Sequence, residues 1–118
     1  MTIEGMWLMR STEVRSDDVA RSPGIIILET ERLFGGDSVY YWIGSYKVEN
    51  GIVRGNVRTR THTLLEGAEN VFGSVGTVDY QVAFEVKWQG DCLVGSMCPE
   101  ENPSVVQAIE LVRLSDLP

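Results

Sequence analysis

Histidine and cysteine are almost missing from this chain. His62 stands alone, and Cys92 and Cys98 are the only thiols. A zinc site draws three or four ligands from His, Cys and carboxylates, and no CxxC or HxxxH spacing joins these residues. Neither a metal nor any other cofactor is expected. Nucleophilic catalysis needs a nucleophile, a base and an orienting group converging in space. His62 has no nucleophile motif beside it, so the expectation is a non-enzymatic protein. G-x-G-x-x-G and G-x-x-x-x-G-K are also lacking, so no nucleotide-phosphate cradle is indicated. Cations are in deficit as well: Lys plus Arg is 10 against 17 for Asp plus Glu, a net charge of −7. That balance disfavours direct nucleic-acid binding, which is built from neutralised phosphates, and binding to anionic membranes. It favours solubility or a basic protein partner.

Long apolar runs are lacking too. Nothing approaches the roughly 18 residues of a membrane span. The N-terminal stretch carries Glu4 and no apolar run of signal-peptide length. A cytoplasmic protein is expected, with reduced thiols. Six residues apart on one strand, Cys92 and Cys98 would face the same side about 20 Å from each other at ~3.3 Å per residue, too far for a disulfide.

What the chain has in abundance is alternation. In Thr77 to Gly90, the residues Val78, Tyr80, Val82, Phe84, Val86 and Trp88 fall on every second position, with Asp79, Gln81, Glu85 and Lys87 between them. Period two over this length predicts a long strand with a buried face and a wet face. Further strands are predicted at Met6–Ser11, Ile25–Leu28, Arg32–Phe34, Val39–Val48, Ile52–Thr61, Asp91–Met97 and Val105–Leu114. Asn50-Gly51 is a strong hairpin signal. Gly35-Gly36-Asp37 is expected to break the third strand, glycine supplying the positive φ of a tight turn and the aspartate capping its N–H groups. His62–Gly76 loses the alternation and reads as a long connection with a helical turn around Leu64–Ala68. Hydrophobic residues make up 43% of the 118, enough for one packed domain spanning the chain.

About eight strands with mostly short connections predict an all-β, eight-stranded antiparallel up-and-down β-barrel, although alternation alone leaves a sandwich open. Tyr40, Trp42, Tyr46, Tyr80, Phe84 and Trp88 belong to the buried faces. They are either plain core or the lining of a small-molecule cavity, whose tyrosine hydroxyls would orient an apolar or aromatic ligand. Asp17, Asp18, Glu100 and Glu101 fall in predicted loops. Adjacent residues in an extended segment point to opposite sides, which makes these pairs poor acid–base partners and leaves them as solvated charge or a docking patch for a basic partner. Arg54, Arg58 and Arg60 share one face of the fifth strand. They read as a wet outer face paired with neighbouring carboxylates.

Gly5-Met6-Trp7 opens the first strand and Arg113 lies in the last. This resembles the lipocalin arrangement, in which a G-x-W tryptophan packs beneath an arginine from the final strand with a cation–π contact of about 0.5–2 kcal/mol. After that strand, Gly35-Gly36-Asp37, Tyr40-Tyr41 and Gly44-Ser45-Tyr46 form a G-G-D-x-x-Y-Y-x-x-G-x-Y pattern. The pattern resembles the GrlR-like family, short bacterial proteins named for a negative regulator of a type III secretion locus. The resemblance is carried by residues 5–61. It implies a calycin- or lipocalin-like barrel, a homodimer, and a regulator that acts by binding a transcriptional activator. In that family the partner contact is tied to an acidic run in the hairpin after the Gly44-equivalent strand. Here the segment Lys47–Gly51 holds a single acidic residue, Glu49.

Overall fold

A computed structural model describes residues 2–11, 23–65, 67, 72 and 75–118. Eight strands follow in chain order: β1 Gly5–Ser11, β2 Gly24–Glu29, β3 Arg32–Gly36, β4 Tyr40–Glu49, β5 Ile52–Thr61, β6 Asp79–Gln89, β7 Cys92–Pro99 and β8 Gln107–Ser115. Each pairs antiparallel with the next, and β8 returns to pair with β1, so the sheet closes into an up-and-down barrel. Closure settles the choice between barrel and sandwich. Hydrogen bonding between β1 and β8 also gives each of the eight described strands a neighbour on both sides, the arrangement that removes sheet edges.

The register puts one alternate set of side chains inside. Trp7 lies opposite Ile26, Ile26 opposite Gly35, Gly35 opposite Trp42, Trp42 opposite Thr59 and Thr59 opposite Tyr80. Three tight hairpins and both chain termini gather at one end of the barrel, here the hairpin end. The β3–β4, β5–β6 and β7–β8 connections gather at the other, the loop end. The most deeply buried side chains, Trp7, Leu28, Val53, Val86 and Leu93, pack towards the hairpin end, each contributing roughly 1.5–3 kcal/mol by burial.

Trp7 closes that end. Its indole Nε1 donates to the Ile3 carbonyl at 2.9 Å, the Arg113 guanidinium carbon sits 4.5 Å above its ring, and the Trp88 ring lies 5.8 Å away. Arg113 Nη1 donates to the Glu4 carbonyl at 2.9 Å, and Nη2 donates to the Thr2 carbonyl. One arginine thus ties the last strand to the segment that leads into the first. Gly5 makes room for it: at φ +150°, a Cβ there would lie 2.5 Å from Arg113 Nη1. Met6 pairs with Ser115 but Trp7 with Arg113, so Leu114 bulges out of β8 beside this contact.

Several strand limits differ from the sequence expectation. Gly35 and Gly36 do not break β3. They belong to it and have no positive φ. Glycine is required at Gly35 for space, because a Cβ would come within 1.9 Å of the Ile25 carbonyl oxygen, and Gly44 stands in the same relation to Asn56 at 1.9 Å. The strands cross too closely there for a side chain. The turn comes one residue later, where Asp37 Oδ1 accepts from the N–H groups of Val39 at 2.8 Å and Tyr40 at 2.7 Å. That cap starts β4 at Tyr40 rather than Val39. β6 begins at Asp79 and β8 at Gln107, both two residues later than the alternation implies, while β7 runs on to Pro99. Of the expected helical turn around Leu64–Ala68, Leu64, Leu65 and Gly67 are described and are not helical; Glu66 and Ala68 lie outside the described residues.

Asn50 and Gly51 form the expected hairpin with φ of 54° and 76°. The β2–β3 hairpin uses the same positive-φ geometry with Thr30 and Glu31, at 52° and 63°. These residues pay a steric cost there, offset in part by the Glu4 carboxylate, which accepts from the Thr30 N–H at 2.7 Å.

Two outcomes are expected in urea denaturation. Gly35→Ala should destabilise the barrel by about 1–3 kcal/mol, because the added methyl forces β2 and β3 apart. Arg113→Lys should cost about 1–2 kcal/mol, since lysine keeps the charge but loses the planar stacking on Trp7 and the forked donors.

Candidate functional site

The six aromatic residues considered as a cavity lining all face inward, but they are strung along the barrel rather than gathered around one space. Trp42 and Tyr46 are core residues, with 8% and 4% exposure. Trp42 pairs with Gly35, and its ring reaches Gly24, where a Cβ would lie 2.3 Å from it. Phe84 lies over Gly55 in the same manner, its Cζ 2.9 Å from the position of a Cβ. Small residues opposite large rings let each aromatic lie flat on the wall. Tyr40 is buried near the loop end, and Trp88 stacks towards Trp7 at the hairpin end. Burial raises the Tyr46 phenol above its ordinary value, so this hydroxyl stays neutral.

Tyr80 is the one of the six that lines an open groove, about 490 Å³ in volume, at the loop end. Phe72 meets it edge-on, with centroids 6.2 Å apart and planes at 87°. Val75, Val78, Pro99 and Val105 continue the apolar wall. Among the described residues the polar lining is Asp79, Glu101 and Asn102, without a lysine or arginine. The β5–β6 and β7–β8 connections build this groove, and neither carries a periodic pattern that would have announced it.

The acidic residues separate. Glu49 ends β4 at the hairpin end, whereas Glu100 and Glu101 follow β7 at the loop end; all three are exposed. They do not form one docking patch. Asp17 and Asp18 lie outside the described residues. The basic face of β5 is paired, as expected. Arg54 Nε meets Glu85 at 3.2 Å, Arg58 contacts Asp79 through two nitrogens at 2.7 and 3.0 Å, and Arg60 Nε reaches the same carboxylate at 3.3 Å. Such exposed pairs add little stability, but two carboxylates offset most of the charge of the three arginines.

His62 caps a corner. Its Nε2 donates to the Asp37 carbonyl at 2.9 Å, and Nδ1 lies 2.7 Å from Thr63 Oγ1. Cys92 and Cys98 are unbridged. Burial, followed by the neighbouring Asp91, raises the Cys92 thiol above its ordinary value, the reverse of what a reactive thiolate needs. Among the described residues, no group of three His, Cys, Asp or Glu side chains could hold a metal ion.

One surface escaped the sequence reading. Met6 pairs with Ile27, Ile27 with Phe34, and Phe34 with Ile43. These residues point outward and form an apolar row across β1 to β4. Leu8 and Ile25 make a second row beside it, continued by Val112 of β8. Met6, Phe34 and Ile43 are 36%, 38% and 61% exposed. The available signal was Ile25-Ile26-Ile27-Leu28, which does not alternate: a run apolar at every position presents apolar groups on both faces of its strand. Ion pairs of mixed sign flank the rows, Arg10–Glu110 on one side and Arg58–Asp79 on the other.

Comparison with protein-family models and with curated proteins finds no match to this chain.

The ion pairs on β5 make a testable statement about pH. Arg58 chiefly, against an opposing effect of desolvation and with help from Arg60, holds the Asp79 carboxyl at about 2 instead of 3.8. A depressed folded-state value means that the contribution to stability is present above 3.8 and lost as pH falls through about 2. Carboxyl-carbon NMR titration should place Asp79 near pH 2 in the native protein. In Arg58→Ala the midpoint should move towards the ordinary value.

Proposed function

We propose that this protein is a non-enzymatic, cytoplasmic regulatory barrel that acts by binding other protein, and that it self-associates as a homodimer. The observation that carries the reading is the outward apolar row Met6–Ile27–Phe34–Ile43 on β1 to β4. Exposed contiguous apolar surface on a folded domain marks an interaction site. With no strand edge open, binding by strand addition is blocked, and a sheet face is what remains to offer.

A lipid bilayer fits this surface poorly. A membrane barrel carries an apolar band around its whole circumference, whereas the outer face of β5 and β6 presents Arg54, Arg58, Arg60, Asp79 and Glu85. A second copy fits well. Two-fold pairing sets the same patch against itself, and a rim with both charge signs on either side can meet its own copy in opposite-sign register. The resemblance to the GrlR-like family at Gly35-Gly36-Asp37, Tyr40-Tyr41 and Gly44-Ser45-Tyr46 supports a regulatory role with a transcriptional activator as partner. The net charge of −7 favours encounter with a basic one.

Light scattering on the eluting protein should give a dimer. Ile43→Glu and Phe34→Glu should each convert it to a monomer with an unchanged far-ultraviolet spectrum, because burying a charge in an apolar interface costs several kcal/mol. A native protein that stays monomeric at the highest workable concentration, or a dimer that survives both substitutions, would sink the assignment of this face.

A further inference from the structure

The loop-end groove is a separate feature, far round the barrel from the β1–β4 face, and its chemistry is specific enough to name a ligand class. We propose that it binds a small hydrophobic ammonium ion, an organic cation with an aromatic or branched aliphatic body. The inference does not depend on the homodimer.

Three properties of the groove converge on this class. Its size, about 490 Å³, falls within the range of small-ligand pockets, roughly 300–1,000 Å³. Its walls mix polar surface with apolar side chains, Val78, Pro99 and Val105, and two rings, Phe72 and Tyr80, meet there at 87°. Both rings belong to the lining, and aromatic rings attract cations through their quadrupole. Its polar lining is acidic or neutral, from Asp79, Glu101 and Asn102.

The two carboxylates differ. Asp79 accepts from Arg58 and Arg60 on the outer surface, so its charge is already compensated. Glu101 is exposed and enters no ion pair among the described residues. It is the lining carboxylate that no guanidinium engages among the described residues. An anionic ligand would meet that carboxylate with no lining cation among the described residues to receive it. A neutral apolar ligand would leave it unused. An ammonium ion with an apolar body satisfies the carboxylate, the rings and the walls together. The long-range field of an acidic protein adds to the local charge by drawing cations towards its surface.

The test uses the intact chain and three probes that share one body and differ in charge: 3-phenylpropylammonium, 3-phenylpropan-1-ol and 3-phenylpropanoate. Amide chemical-shift titration reads both affinity and location. The ammonium should bind most tightly and shift the amides of Asn102, Val105 and Tyr80. The carboxylate should bind least. Glu101→Gln, at an exposed position, should weaken the ammonium by about two- to fivefold, the scale of one exposed ion pair, and leave the alcohol unchanged. Added salt should do the same. Equal binding of ammonium and alcohol would overturn the assignment of a cation. Shifts confined to residues away from the β5–β6 and β7–β8 connections would overturn the location. No saturable shift with any of the three probes would remove the site altogether.

Discussion

Everything in this structure depends on the pairing of β8 with β1. Seven of the eight strand contacts join neighbours in sequence, and hairpins supply most of them at small entropic cost. The eighth joins the two ends of the chain, and local geometry does nothing to bring those ends together. Side chains fasten it. Trp7 is wholly buried beneath Arg113, and Arg113 donates to the carbonyls of Thr2 and Glu4 on the far side of the seam. A guanidinium suits this position because its flat face stacks on an indole while its forked edge still donates. Gly5 is then required by the arginine, and the Leu114 bulge lets the last strand pass it.

Closure has consequences for what the molecule can offer a partner. A closed sheet has an inside, an outside and two ends. The inside carries the core side chains, with the Trp42 ring against Gly24 and Phe84 against Gly55. The hairpin end is plugged by the Trp7–Trp88–Arg113 group. What remains is the outer wall and the loop end. The wall is unequal around its circumference: β5 and β6 carry a ladder of ion pairs, while β1 to β4 carry aliphatic and aromatic groups. That inequality sets an apolar side of the barrel against a charged one. The loop end differs in kind, because its irregular connections create a concave surface that flat strands do not provide. Interaction with a large partner and with a small ligand can thus occupy different places on one small barrel.

The alternating strands were legible because period two is a local property. Tyr80 through Trp88 face inward as the pattern indicates, and Asn50-Gly51 turns where that dipeptide should. The arginines of β5 found carboxylates across the strand, as an exposed cationic row tends to do. Legibility failed where the reason for a residue lies on another strand. Gly35 resembles a turn residue in sequence, but it sits inside β3, facing a carbonyl that admits no Cβ. Thr30 and Glu31 make a positive-φ hairpin that their residue types do not favour, because the register of β2 on β3 leaves two residues for the turn.

The candidate sites divide along the same line. Composition and spacing determined that the chain is a β protein with acidic charge, and alternation determined which residues of each strand face together. These properties follow from the chemistry of single residues and their immediate neighbours. Only the tertiary structure decided that six inward aromatics do not surround one space and that Glu49 lies at the opposite end from Glu100 and Glu101. It likewise placed Met6, Ile27, Phe34 and Ile43 in one row and brought Phe72 beside Tyr80. Strand register and closure set those adjacencies, and register is fixed by pairings between residues far apart in the chain.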